Sequence, residues 1–441
     1  LKYLSEYSRN LKIGIPVALS QLGHIAVTVA DTIIVGKLGG VQLGAITIAV
    51  SVLIPFMMFG IGLSYGVSPL IAKADGEGDR EVVGILFKQS LVINSILGLL
   101  LSLVLVAGSG LLMYLDQPAD VAALALPCFQ LLALSLFPVM IFQAFRQFAE
   151  GLGKTTEAMV VSIGGNVLNI VLNYILVYGK VGFPVLGAPG SAAATLIARI
   201  VMAMGIFIMI WKSGRFDIYL EIFSTAKVSM EKIWKILKVS IPVGLQLSLE
   251  TGAFGCAALM VGWIGTDEIA AHQIALNLAA VSYMSATGIA SATTVRVGNG
   301  LGRKDYSEIR LAGYAGIHMV LLFMALTAVI FVLFRYDLPQ LYIGDGKIQH
   351  IASSLLFIAG IFQISDGLQV VSLGALRGIG DVRIPTVIAL VAYWVVGLPS
   401  GYFFAFMLDL NVEGVWYGLL LGLSTAAILL LTRFNSKSRM V

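Results

Sequence analysis

The chain has 441 residues, of which 58% are apolar and only 12% charged, with a mean hydropathy of +0.94. A soluble domain carries about 25% charged residues, so most of this surface does not face water. That excludes an ordinary water-soluble fold, and the formal net charge of +4 gives no sign of nucleic acid as a partner.

The first apolar run begins at Ile13 with no cleavable signal pattern before it, and it is long enough to span a bilayer. Most of the later runs approach 20 residues, the length an α-helix needs to cross roughly 30 Å of hydrocarbon. Leu91 to Val106 and Ile317 to Phe334 lack the apolar–polar alternation of a membrane barrel strand. Because backbone groups in lipid must be satisfied internally, the runs are helices. The pattern predicts six near 11–35, 45–72, 86–113, 122–146, 157–178 and 188–211. Six more are predicted near 234–264, 270–297, 311–333, 350–376, 385–407 and 412–432. The polar stretch between the sets contains Gly214-Arg215-Phe216-Asp217, and part of it suits an amphipathic surface helix. The expected organisation is a first lobe over 1–212, a linker over 213–233 and a second lobe over 234–441.

Charge distribution sets the expected orientation. If both termini lie on one side, that side carries 23 Lys and Arg residues and the opposite loops carry four: Lys37, Lys180, Arg335 and Lys347. By the positive-inside rule both termini are expected in the cytoplasm, in a multi-pass protein of the cytoplasmic (inner) membrane. Arg199 falls inside the sixth helix with no obvious partner in the sequence.

The two sets are repeats. A shift of 226 carries Ile15-Pro16-Val17 onto Ile241-Pro242-Val243, and Gly36, Gly62, Gly76 and Asp79 onto Gly262, Gly288, Gly302 and Asp305. A shift of 227 carries Gly151 and Gly153 onto Gly378 and Gly380, and Gly187 onto Gly414. Six helices return the chain to its starting side, so the halves share an orientation. The expected fold is all-α, with twelve transmembrane helices as two parallel six-helix repeats around a central cleft, an arrangement suited to rocking movements.

Three carboxylates interrupt the apolar helices: Asp31, Glu250 and Asp366. Each costs about 2.5–3.5 kcal/mol at a helix centre, so they must be paired, protonated, hydrated or ion-bound, and they are candidate functional sites. The repeat does not duplicate them. Asp31 corresponds to Ala257, Glu250 to His24 and Asp366 to Val139. Phe254 shares a helix face with Glu250 and could offer its ring to a cation; simple packing explains the spacing equally well. Asn169 and Asn173 lie four apart in the fifth helix, and their amide oxygens could join a carboxylate around sodium or bond across helices. Cys128 and Cys256 sit in apolar runs and read as core residues. No cofactor motif, nucleophile cluster or Cys/His metal spacing occurs, so an enzyme is not expected. A passive channel is left open by the composition.

Several motifs together resemble one family. They are Val29-Ala30-Asp31-Thr32 with Gly36, Phe145-Arg146-Gln147-Phe148 through Glu150-Gly151-Leu152-Gly153-Lys154, and Ala270-Ala271-His272-Gln273 through Asn277. Arg296-Val297-Gly298-Asn299 and Ala375-Leu376-Arg377-Gly378 through Asp381 complete the set. The chain is similar over nearly its whole length to the multidrug and toxic compound extrusion (MATE) transporters, of the NorM branch.

That resemblance implies a secondary active antiporter that exports lipophilic organic cations in exchange for Na+ or H+. It implies a coupling-cation site at Glu250, Phe254 and Asp366, with the two acids as ligands of a sodium ion. It further implies a first-lobe cation or proton site at Asp31, Asn169 and Asn173, and cavity residues Gln273, Tyr283 and Asp345. Phe362 departs from relatives that carry Tyr there, which removes a hydroxyl. No cofactor beyond the coupling ion is expected, and the partners are the drug-like cations and the bilayer, with the chain a monomer. The alternative is a flippase for a lipid-linked head group, but such a cavity should be cationic, and three of the four intramembrane charges here are acids.

Overall fold

The computed structural model describes residues 2–114 and 117–440. Helices dominate it, and no strand occurs among the described residues. Twelve helices are long and apolar enough to cross a membrane. They are α1 (Tyr3–Gly36), α2 (Gly40–Glu77), α3 (Arg80–Ala107), α4 (Ala119–Gly151), α5 (Thr156–Tyr178) and α6 (Ala188–Lys212). The second six are α7 (Met230–Ile264), α8 (Thr266–Gly302), α9 (Tyr306–Leu333), α10 (Gly346–Gly378), α11 (Arg383–Met407) and α12 (Asn411–Arg439). Number and order match the hydropathy reading. The third helix is shorter than predicted: it ends at Ala107, where Gly108 caps it, and a 3₁₀ turn follows over Ser109–Tyr114.

The repeated residues are punctuation. Asp79 caps the start of α3 by accepting from the Val82 amide at 3.0 Å, and Asp305, its counterpart, caps α9 by accepting from Glu308 at 3.0 Å. Each cap satisfies one of the orphan amides at a helix start. The residue before each cap is left-handed: Gly78 at φ 74° in one half and Lys304 at φ 56° in the other. A glycine takes that conformation freely, so the second half has kept the turn after losing the residue that makes it easy.

The chain forms two compact units. One comprises Leu1–Ala18, Asp75–Gly78 and Leu245–Val441; the other comprises Leu19–Ala74 and Asp79–Gly244. We call them unit 1 and unit 2. The divisions in α1 and α7 fall at equivalent residues, two positions past Pro16 and two past Pro242. Proline removes a helix hydrogen bond and crowds the preceding turn. In unit 1 the first half of α1 lies on α8, where a side chain at Gly14 would meet the Gly288 carbonyl at 3.0 Å. In unit 2 the start of α7 lies on α2, with Gly66 directly against Ser240. Small residues let helix backbones approach closely where lipid supplies no hydrophobic drive.

Each unit has an apolar core of its own. In unit 1, Ala253, Val261, Leu355, Phe362, Tyr393 and Trp416 are among the buried side chains. In unit 2 a stack of rings centres on Phe87, whose ring lies 4.0 Å from that of Phe148. The linker helix Asp217–Thr225 joins that core through buried Tyr219 and Leu220. Lys154 secures it by donating to the Arg215 carbonyl at 2.6 Å, with its ammonium 4.6 Å from the Phe216 ring. Cys128 and Cys256 are both free.

Candidate functional site

Unit 1 gathers the second-half acids on α7 and α10. Glu250 is 6% exposed and Asp366 3% exposed. The two carboxylates lie within electrostatic range of each other, and Arg377 lies within range of Glu250. Glu250 Oε1 accepts from the hydroxyls of Tyr283 on α8 and Tyr393 on α11, each at 3.4 Å. Gln369 Oε1, at 2.9 Å, competes with Glu250 for the single Tyr393 proton. The Phe254 ring sits between two aromatic neighbours, 6.2 Å from Tyr393 and 6.3 Å from Phe362. Phe362 brings no hydroxyl to this group, whereas Tyr393 does.

Helix α11 reaches this site through an irregular turn. Residues Val391–Gly397 form a π-helical segment, a widening of the helix often found at functional positions. It sets Tyr393 on the Glu250 carboxylate and Trp394 on the backbone beside it, where the indole NH donates to the Leu249 carbonyl at 3.0 Å. Two consecutive side chains of one helix thus hold one turn of α7.

Unit 2 gathers the first-half residues. Asn173 donates to Asp31 and, at 3.2 Å, to Ser191. Asn169 donates to Thr195 at 3.3 Å. These bonds use the amide NH2 groups. The Oδ1 atoms of Asn169 and Asn173 are buried without a protein hydrogen-bond partner. Arg199 lies within electrostatic range of Asp31 and donates to Ser135 Oγ at 2.7 Å. The sixth-helix arginine that the sequence leaves unpartnered is thus anchored across to α4.

The remaining sequence-predicted residues are placed differently. Tyr283 joins Glu250, but Gln273, ten residues earlier on α8, is exposed. Asp345 is exposed and is the N-cap of α10, accepting from the Lys347 amide at 2.8 Å and the Ile348 amide at 3.4 Å. Sequence reasoning missed Tyr393, Gln369 and Trp394. One signal was available: the shift of 227 carries Asn166 onto Tyr393, a second buried polar group in the repeat. No cluster of three or more His, Cys, Asp or Glu able to hold a metal occurs among the described residues.

With the geometry established, comparison with known proteins gives a definite result. The MatE family model matches the chain twice, over residues 16–175 and 242–403, once in each half. The chain belongs to the MatE family. Among curated relatives of this MatE chain, the probable multidrug resistance protein NorM of Rhizobium meliloti is 33% identical over 438 residues, covering 98% of the chain and 93% of the relative. The multidrug resistance protein NorM of Aliivibrio fischeri is 32% identical over 440 residues, covering 98% and 95%. The multidrug resistance protein MdtK of Photorhabdus laumondii is 31% identical, covering 98% and 96%. The NorM-branch resemblance of the sequence motifs is thereby met. Among solved structures, a MATE P26A mutant superposes with a TM-score of 0.91 at 21% identity, covering 99% of this chain and 96% of that one. A eukaryotic MATE transporter superposes at 0.89 with 22% identity, covering 100% and 99%. These likenesses show the fold, that of a multi-pass membrane protein with twelve candidate spans.

Proposed function

We propose that this MatE chain is a secondary active multidrug efflux antiporter, exporting lipophilic organic cations in exchange for entering Na+ or H+. The observation that carries the reading is the pairing of buried acids with unused oxygen donors. In unit 2, Asp31 faces Asn173, and the Asn169 and Asn173 carbonyl oxygens have no protein partner. In unit 1, Glu250 lies between two tyrosine hydroxyls, near Asp366 and beside the Phe254 ring. Oxygen donors around a carboxylate suit a small hard cation or a proton, and an aromatic ring beside a carboxylate suits an organic cation. The relatives' names as multidrug resistance proteins support the substrate class.

The mechanism is competition. An organic cation taken up from the cytoplasmic side binds against the acids, and an ion arriving from outside neutralises them and releases it. An ion shifts the conformational equilibrium only by its difference in affinity for the two states, and acids that change between paired and open surroundings supply that difference. The 23-to-4 distribution of basic residues supports cytoplasmic termini and the inner membrane. The protein works as a monomer in this reading, because the contacts of both acid clusters come from one chain.

The test uses proteoliposomes loaded with a fluorescent lipophilic cation under an imposed sodium or pH gradient. Gradient-driven movement of the dye is expected in one of the two arms. Unchanged coupled transport in Glu250→Gln and Asp366→Asn would overturn the unit 1 mechanism, and currents without exchange would show a channel.

A further inference from the structure

Unit 2 contains more buried polar groups than the Asp31 site uses. On α5, Ser162, Asn166, Asn169 and Asn173 are spaced four, three and four apart, which places them on one helix face. All four are at least nine-tenths buried. The upper two serve the Asp31 site. The lower two do not: Ser162 Oγ and Asn166 Nδ2 have no protein hydrogen-bond partner. Asn166 abuts α1 at Gly23, whose missing side chain makes room for the amide. Helices α1 and α5 therefore run side by side in register, with Asn173 at Asp31 and Asn166 one helical stretch below at Gly23.

The polar groups continue beyond that level. Ser20 on α1 and Gln143 on α4 are buried, and Ser20 Oγ and Gln143 Oε1 also lack a protein partner. Gln21 accepts from Arg146 at 3.4 Å, and Arg146 pairs with Glu150 at 2.6 Å near the end of α4. Polar side chains that merely hold helices together spend their donors and acceptors on each other. These four do not. Buried polar atoms without protein partners are normally hydrated, and polar side chains on successive turns of α1, α4 and α5 offer water or a small ion a succession of partners.

We propose that this seam of unit 2 is a hydrated path by which the coupling ion or proton leaves Asp31 toward the α4 and α5 ends on the side we assign to the cytoplasm. It rests on the antiport reading above and adds to it a route separate from that of the drug. Asn166 corresponds to Tyr393 and Ser162 to Ala389, so the repeat does not duplicate this pair in unit 1.

The experiment measures ion flux and dye export together in proteoliposomes, with a sodium arm (radioactive sodium) and a proton arm (a lumenal pH dye), and organic-cation affinity in detergent without a gradient. Asn166→Leu is expected to slow ion flux and export at least tenfold in whichever arm drives the wild type. Organic-cation affinity should be unchanged, and Asn166→Ser should restore most of the rate. Ser162→Val is the second blocking variant, for use if Asn166→Leu folds poorly. Wild-type ion flux in both blocking variants would overturn the path, as would a slow Asn166→Leu that Asn166→Ser fails to restore. If the path fails while Asp31→Asn still abolishes coupling, the antiport reading stands alone; if neither gradient drives export in the wild type, both fall.

Discussion

The Tyr393 hydroxyl stands 3.4 Å from Glu250 Oε1 and 2.9 Å from Gln369 Oε1, with only one proton to donate. The shorter bond takes it, so Glu250 receives the hydroxyl's proton only if the Gln369 amide turns over and donates instead. The Nε2 of Gln369 is buried without a protein partner in the present arrangement, so the turn exchanges one set of bonds for another. A carboxylate whose hydrogen-bond supply depends on a neighbouring amide can respond to an ion or drug that engages either group. Tyr393→Phe keeps the ring packed against Phe254 and removes the hydroxyl. A donor within reach of a carboxylate favours its charged form, and a shared hydrogen bond is worth about 0.5–1.5 kcal/mol, so roughly a two- to tenfold fall in the ion concentration for half-maximal export is expected, with maximal export largely retained. Titration of export against the ion gradient checks it.

Asp31 and Asn173 form one unit with two jobs. Asn173→Leu removes both the donor to Asp31 and an unused oxygen, while Asn173→Asp keeps an oxygen but sets a second acid against the first. Both variants should lose gradient-driven export by at least about tenfold, since a lost bond to a charged group is worth about 1.5–3 kcal/mol. Asn173→Ser, which retains a hydroxyl, is expected to fall between them and the wild type. Initial rates in proteoliposomes decide the order.

The Arg146–Glu150 pair is buried, at 2% and 4% side-chain exposure, with Gln147 also donating to Glu150 at 3.3 Å. Removing one partner of a buried pair leaves an uncompensated charge and costs about 3–5 kcal/mol. Glu150→Gln should therefore lower the melting temperature in detergent markedly. The apolar double variant Arg146→Met with Glu150→Leu should recover most of it, because it leaves no buried charge. Thermal unfolding followed by tryptophan fluorescence separates the two.

Asp345 allows its helix-capping role to be told from a role in the drug cavity. Ala at an N-cap costs about 1 kcal/mol, whereas Asn caps almost as well as Asp. Asp345→Ala should lower stability by that amount and Asp345→Asn should leave it unchanged. Because the side chain is exposed and already bonded to two amides, dye affinity is expected to stay at the wild-type value in Asp345→Asn. A weakened affinity in that variant would place Asp345 in the cavity as well as at the cap.

Gly288 sits where a side chain would strike Ala18, with its Cβ 2.8 Å away. Gly288→Val should destabilise unit 1 by about 1–3 kcal/mol, the usual cost of overpacking, and so lower the melting temperature. Gly262→Ala, whose nearest neighbour is the flexible end of Ile269 at 3.5 Å, should be near neutral.

The sequence by itself determined the number of spans, the duplication, the family and the acids that the duplication leaves out. Those features are local or additive. An apolar run of sufficient length must be a spanning helix in lipid, a fixed offset between glycines and caps survives any packing, and a carboxylate in a helix centre is costly wherever that helix goes. Only the tertiary structure decided what each acid faces. Tyr393, Gln369 and Trp394 lie more than a hundred residues from Glu250; Tyr393 and Trp394 reach its turn of α7 from the π-helical segment of α11, which no local periodicity announces, and Gln369 joins them from α10. Tertiary packing likewise anchored Arg199 on Ser135, made Asp345 a cap, and joined the first half of α1 to unit 1 and the start of α7 to unit 2. Hydropathy is a property of one helix, but a hydrogen-bond partner belongs to a pair. The choice of pair depends on kinks, caps and glycine contacts that act only once the helices are packed.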